Sequence, residues 1–387
     1  MEQEAPATEP GEETCDAAPL VVDCTALTNE TLRLAIKQWS SDEERDKLPP
    51  MSTWNTSRVT DMSALFCVRE DWMDGRPEWD RAVLTKLDAG FDEDISAWDT
   101  SRVTRLDRMF SGQAAFNQKI GSWRVDNVVD MRWMFHDASS FNQDISSWKC
   151  DNVTDMHSMF NGAKAFNQPI GGWNVDNVRD MSCMFAGAAS FNQELGAWRV
   201  DKVEDTSYMF WEASSFNQPL GDWKVDNVTD MSCMFCGAAS FDHPLATWKV
   251  DNVTSMHAMF NGASSYRHPL AEWRVDNVTN MSYMFAHASA FIQPLGSWKL
   301  RAGCQTASMF AATNFDNSRP VESAEAPAPA PGTAVPEAQV AVSALPDPAG
   351  AADAVEAAVA VAHAEIAEAR RTGALDEEGA AVAWAAA

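Results

Sequence analysis

Tryptophan recurs at positions 98, 123, 148, 173, 198, 223, 248, 273 and 298, always 25 residues apart. Phenylalanine keeps the same step at 110, 135, 160, 185, 210, 235, 260, 285 and 310. A second aromatic column runs through Phe116, Phe141, Phe166, Phe191, Phe216, Phe241, Tyr266 and Phe291. Self-similarity at a fixed period marks a repeat architecture, in which each unit is too small to bury its own apolar side chains and does so by stacking on its neighbours. This periodicity restricts the chain to a stack of similar coils. It also explains the composition, where 16 Trp and 19 Phe accompany only 3 Tyr.

One unit can be read residue by residue. In ISSWKCDNVTDMHSMF, residues 145–160, the apolar positions Ile145, Trp148, Cys150 and Val153 approach the L-x-x-L-x-L frame of leucine-rich repeats. Trp148 and Cys150 are two apart, so an extended segment points both inward and turns Lys149 and Asp151 outward. Thr154 is a good helix N-cap, and Met156, Met159 and Phe160 follow at the spacing of one helical face. Gly162 suits a helix C-terminus, and Asn167–Gln168–Pro169 is turn chemistry. The expected fold is a repeat solenoid, leucine-rich-repeat-like. It has one short parallel strand and one short helix per 25-residue coil, about ten coils, an N-terminal helical cap and disordered ends. At a parallel spacing near 4.8 Å, about ten coils span roughly 50 Å.

The recurring FNQPIxxWxVDNVTDMSxMFxGAxxF pattern resembles the BspA-like leucine-rich-repeat surface proteins. The resemblance covers residues 51–317. It implies a leucine-rich-repeat-like solenoid at the cell surface or secreted, an adhesion role, and no enzymatic activity.

The remaining segments read by composition. Residues 1–24 are acidic and expected to be disordered. Residues 25–50 hold a capping helix, with Leu32, Ala35, Ile36 and Trp39 at helical spacing. The array at 51–317 is interrupted by an insert at 67–90, CVREDWMDGRPEWDRAVLTKLDAG. Residues 318–350 form an Ala/Pro-rich linker and 351–387 an Ala-rich helical or disordered tail. No secretory signal is visible at the N-terminus, and no apolar run reaches the roughly 18 residues that span a membrane.

Stacking converts a repeated residue into a column. The position after Trp is basic at Arg124, Lys149, Arg199, Lys224, Lys249, Arg274 and Lys299, with Asn174 the exception. Two residues later stand Asp126, Asp151, Asp176, Asp201, Asp226, Asp251 and Asp276. In a strand these positions share a face, so a positive stripe should lie beside a negative one. Stacked carboxylates about 5 Å apart repel, and the basic stripe supplies their counter-charge. The pair of stripes is also the candidate binding face for a protein or cell-surface ligand. A further acidic column, Asp130, Asp155, Asp180, Asp205 and Asp230, falls in the expected first helical turn, where acid complements the dipole. The Asn column at 127, 152, 177, 227, 252 and 277 and the Gln column at 118, 143, 168, 193, 218 and 293 read as amide ladders between coils.

The net charge of −27 argues against a nucleic-acid partner. No Ser-His-Asp set, phosphate loop or paired catalytic carboxylate stands out, so no catalytic residue, cofactor or metal is expected. Cys233-x-x-Cys236 is a lone pair without a second at zinc-finger spacing. His243 and His268 replace Gln in adjacent coils and read as surface drift more than as a metal or pH site. Sequons at Asn29, Asn55, Asn152, Asn227, Asn252, Asn277 and Asn280 matter only in a secreted chain. The sequence thus points to a non-enzymatic surface for protein recognition or adhesion. An intracellular scaffold with the same fold is the alternative. An enzyme would need the singular cleft that only the insert offers.

Overall fold

The computed structural model describes residues 21–68, 89–314 and 321–322. These belong to one unit, Met1–Ala326, and a second unit, Pro327–Ala387, lies outside the described residues. Most of the acidic N-terminus, insert residues 69–88, most of the linker and the Ala-rich tail therefore also lie outside them.

Successive repeats lie against one another in register. Parallel bridges run down a single column from Asp61 through Arg105, Asp130, Asp155, Asp180, Asp205, Asp230, Ser255 and Asn280 to Gln305. Ten coils are joined in this way among the described residues. The wall beside the column is a ladder in which every second amide serves the next coil. Met156, Ser158, Phe160 and Gly162 donate to the carbonyls of Asp180, Ser182, Met184 and Ala186 at 3.0, 2.9, 2.9 and 2.7 Å.

The intervening amides close tight turns. Met159 donates to the Met156 carbonyl at 3.1 Å, Asn161 to Ser158 at 3.2 Å and Ala163 to Phe160 at 3.1 Å. The expected short helix at Met156–Phe160 is therefore corrected to a run of β-turns, and residues 89–314 contain no α-helix. The reason is in the backbone. Ser158 has φ 53° and Gly162 φ 70°, the positive values that a type II turn needs at its third residue and a right-handed helix forbids. Residues three and four apart meet on one side in consecutive turns as in a helix, so the Met/Phe spacing does not distinguish them.

The expected strand at Trp148–Cys150 is corrected too. The segment is extended and keeps the alternation, with Trp148 and Cys150 buried and Lys149 and Asp151 exposed. It pairs with no neighbouring strand, because turns close on both sides: Trp148 bonds back to Ile145 and Cys150 accepts from Val153. One two-residue strand, β1 (Lys299–Leu300), pairs in parallel with β2 (Val321–Glu322).

Columns of identical side chains make the core. Each Trp indole N–H donates to a carbonyl of the preceding coil: Trp148 to Ile120 at 3.2 Å, Trp248 to Leu220 at 2.9 Å and Trp298 to Leu270 at 2.8 Å. The indoles stack at about 6.2–6.5 Å with planes within 9°. The two Phe columns meet within a coil, as Phe160 and Phe166 at 3.9 Å, and across coils, as Phe160 and Phe185 at 5.8 Å. Offset-stacked aromatic pairs contribute about 0.5–1.5 kcal/mol each beyond area burial. Repetition therefore makes these columns the main stabilising element.

Side-chain ladders flank the core. Asn152, Asn227, Asn252 and Asn277 each donate Nδ2 at 2.6 Å to the Asp carbonyl of the coil before. A second ladder runs through Asn142, Asn167, Asn192 and Asn217, whose Oδ1 atoms accept the amide one repeat later at 2.9–3.0 Å. Gln168 and Gln193 donate to the same asparagines. His243 and His268 place Nε2 at 3.1 and 3.0 Å from the equivalent carbonyls of Asn217 and Asp242. Each imidazole thus takes the place of the Gln amide in the ladder, which is why the repeat accepts it.

The first coil is covered by α1 (Asn29–Trp39), started by Thr28 in a reciprocal capping box with Thr31. Its Leu32, Ala35 and Ile36 are fully buried in the common core. A short helix α2 (Asp42–Arg45) and a 3-10 turn (Met51–Thr53) lead into the array.

Candidate recognition surface

The basic stripe lies exposed beside a mostly half-buried Asp stripe, and the two pair internally. Arg124 reaches Asp126 of its own coil at 2.8 Å. Arg199 bridges Asp176 of the preceding coil at 3.1 Å and its own Asp201 at 3.3 Å. Lys249 meets Asp226 at 3.5 Å, and Arg274 meets Asp251 at 3.0 Å and Asp276 at 3.6 Å. Asn174, the neutral member of the basic column, donates to Asp151 at 2.7 Å. Lys149 and Lys224 occupy the same column outside these pairs. Exposed pairs of this kind contribute only ~0–1 kcal/mol each. What they do is cancel the repulsion within the Asp column.

A different face carries the variation between repeats. It is formed by the outward positions of the turn segment M-x-x-M-F-x-G. One column reads Arg132, His157, Ser182, Ser207, Ser232, His257 and Ser282. The next reads Trp133, Ser158, Cys183, Tyr208, Cys233, Ala258 and Tyr283, and a third His136, Asn161, Ala186, Trp211, Cys236, Asn261 and Ala286. The Met and Phe positions between them hardly change. The backbone ladder holds these residues in rows; about half are half-buried, Tyr283 is exposed, and the remainder, among them Ser158, Ser182 and Ala258, are buried.

At the N-terminal end of this face a charged network spans four coils. Arg33, 3% exposed, donates to the Ser63 carbonyl at 2.9 Å and lies 3.6 Å from Asp61. The fully buried Asp107 receives Arg105 at 2.9 Å and Arg108 at 3.4 Å. Arg108 lies over the Trp133 ring at 4.0 Å, and Trp133 packs edge-on against His157 at 4.6 Å. Arg132 holds Asp130 at 2.8 Å and Asp155 at 3.4 Å. Arg33, Asp107, Arg108, Arg132 and Trp133 are singular to their coils, and only their departure from the repeat consensus marks them in the sequence.

The second acidic column does not begin helices, because residues 89–314 hold none. Each Oδ1 instead accepts the amide two residues on, as Asp180 does from Ser182 at 2.8 Å and Asp230 from Ser232 at 2.7 Å. Stacking and burial raise the pKa of some members. Burial, reinforced by Asp180 and Asp130, pushes Asp155 up to about 6, against the His157 amide and Arg132. Burial, reinforced by Asp180 and Asp230, pushes Asp205 up to about 6 despite two hydrogen bonds from Ser207. Burial, with Arg132, His136 and Arg108 adding to it, lowers His157 to about 4, so its imidazole is neutral at pH 7.

A serine, a histidine and an aspartate that the sequence did not bring together do meet here. Ser182 Oγ donates to Asp180 and lies within hydrogen-bonding distance of His157 Nδ1. The order is carboxylate, serine, imidazole. Nucleophile activation needs the imidazole in the middle, taking the serine proton while the carboxylate orients it. Ser182 is also only 5% exposed. The arrangement reads as a brace between adjacent coils. Among the described residues no group of three His, Cys, Asp or Glu is placed to hold a metal ion, and no helix is long and apolar enough to cross a membrane.

The family model described as a Mycoplasma protein of unknown function, DUF285, matches residues 35–93, 86–178, 145–243 and 218–322. No curated protein and no solved structure gives a significant match. The four overlapping matches run through the whole described array and cover more than half of the 387 residues. The chain is accordingly a tandem-repeat protein that belongs to the DUF285 family.

Proposed function

We propose that the protein is a non-enzymatic recognition protein, built as a leucine-rich-repeat-like solenoid in which an invariant stack of coils displays one variable face. The turn face binds a protein or cell-surface ligand, in adhesion or a related surface role. The observation that carries this reading is the separation of the two kinds of position. Core and ladder columns repeat nearly verbatim, whereas the outward turn columns change from coil to coil and include Trp133, Tyr208, Trp211 and Tyr283. Tyr and Trp give large contact areas at low entropic cost and are enriched at energetically dominant interface positions.

The charge stripe carries a second reading, favoured by Lys149 and Lys224, which stand exposed outside the ion pairs that neutralise their neighbours. The test compares two variants in adhesion of protein-coated beads to intact cells. One variant carries Trp133→Ser, Tyr208→Ser and Tyr283→Ser, and the other Lys149→Glu and Lys224→Glu. The turn-face variant should lose adhesion and the stripe variant keep it. Undiminished adhesion by a folded turn-face variant would overturn the assignment. Loss by the stripe variant alone would move the site to the stripe.

A further inference from the structure

Seven cysteines among the described residues are in no disulfide, and two of them share a coil. The Cys236 amide donates to the Cys233 carbonyl at 3.0 Å, closing a β-turn. Such a turn keeps the two Cα atoms within about 7 Å, and the disulfide range of 4.4–6.8 Å overlaps it. Two neighbouring side chains bear on the ionisation of Cys236, that of Cys233 most strongly and that of Trp211 in the preceding coil in the opposite sense. The turn is tied to both neighbours, since Glu212 donates to the Cys236 carbonyl at 2.7 Å and Cys233 donates to that of His257 at 2.8 Å. Cys233 is 7% exposed and Cys236 is half-buried, so solvent reaches the pair through Cys236.

We propose that Cys233 and Cys236 form a thiol–disulfide exchange site that closes to an intracoil disulfide on reaction with a small-molecule disulfide of the oxidised-glutathione type. The Cys236 thiolate attacks one sulfur of the oxidant, forms a mixed disulfide and releases one small thiol. Cys233, losing its proton, then attacks the Cys236 sulfur and expels the second small thiol. The protein dithiol loses two electrons and two protons, and the oxidant leaves as two thiols. Closure needs only a local rotation, because the backbone turn already exists. The neighbouring Cys233 side chain and then burial push the Cys236 thiol well above the usual range, so the first step should quicken as pH rises. The pair sits on the turn face, but the proposal does not rest on the recognition reading.

The experiment treats the native full-length chain with oxidised glutathione at alkaline pH, alkylates the remaining thiols and digests with trypsin. Cys233 and Cys236 fall together in the peptide of residues 225–249, with no other cysteine. The expected peptide is lighter by two hydrogen atoms and carries no alkyl group, while the buried Cys150 is alkylated after unfolding. In Cys233→Ser the mixed disulfide should persist on Cys236. In Cys236→Ser the thiol of Cys233 should stay unreacted in the folded protein. Recovery of residues 225–249 doubly alkylated, when Cys304 of the same sample has formed a mixed disulfide, would overturn the proposal. So would glutathione held on Cys236 without closure in the parent chain.

Discussion

Replacing Asp205 by Asn should stabilise the protein near neutral pH and lose most of that advantage in acid. Asp205 lies in a column of acidic side chains one coil apart, between Asp180 and Asp230, and its pKa is raised from 3.8 to about 6, chiefly by burial. A carboxyl group with a raised folded-state pKa favours the folded state when protonated. That contribution is complete below the unfolded value and is lost as pH rises through the folded one. At pH 7.5 the ionised group therefore opposes folding, by ~3 kcal/mol at the limit set by the shift. Partial solvent access reduces this to about 1–2 kcal/mol. The cap need not suffer, because Asn280 occupies the same column and its Oδ1 accepts the Ser282 amide at 3.0 Å. The assay is urea unfolding followed by tryptophan fluorescence, with m-values compared to check that the denatured state is unchanged. The midpoint of Asp205→Asn should exceed the parent's at pH 7.5, and most of the gap should close near pH 4. An equal gap at both values would refute the electrostatic origin, and no gap at pH 7.5 would refute the burdened column.

Three further substitutions probe other columns. Tyr266 is fully buried in a Phe column and its hydroxyl makes no hydrogen bond within the described structure. Tyr266→Phe should raise the unfolding free energy by about 1 kcal/mol, seen as a higher urea midpoint, since an unsatisfied buried hydroxyl is removed; a lower midpoint would show that the hydroxyl is satisfied. His287 has φ 57° in the column that holds Gly at 162, 187, 237 and 262, so His287→Gly should stabilise by about 1 kcal/mol through relief of left-handed strain. A thermal melt reads this directly, and unchanged stability would mean that the strain is offset locally. Trp198→Phe forfeits the indole bond to Ile170 at 3.2 Å and stacking on Trp223 at 6.4 Å. It should cost about 2–4 kcal/mol, and a cost below 1 kcal/mol in the same urea assay would show that the Trp column does not carry the stack.

The register was legible in the sequence because burial is periodic: Trp148, Val153, Met159 and Phe160 recur with little change, and all are buried. The local conformation was not. Met156, Met159 and Phe160 satisfy a helical spacing, yet hydrogen bonding to the next coil outcompetes the helix, and left-handed residues occur twice per coil at Ser158 and Gly162. The recurring Gly was the available sign. Read at one coil it resembled a helix terminus, whereas down the column it marks a backbone requirement that Asp137, Glu212 and His287 meet under strain. The charge stripes were visible as columns, but their pairing across coils depends on side-chain reach that spacing does not give. The turn face was the least legible. Its positions look like noise against the consensus, and only the ladder shows that Arg108, Trp133 and His157, from three coils, touch.

The account rests on one division, between columns that build the stack and columns that only decorate it. Scanning every position by single substitution, with resistance to proteolysis as the measure of folding, tests that division directly. Sensitivity should recur every 25 residues at the Trp148, Val153, Met159 and Phe160 columns. It should be low at the half-buried outward positions Asn161, Ser207 and Asn261. If the outward columns prove as sensitive as the Trp148 column, or if no 25-residue period emerges, the division fails and the variable face loses its basis as a recognition surface.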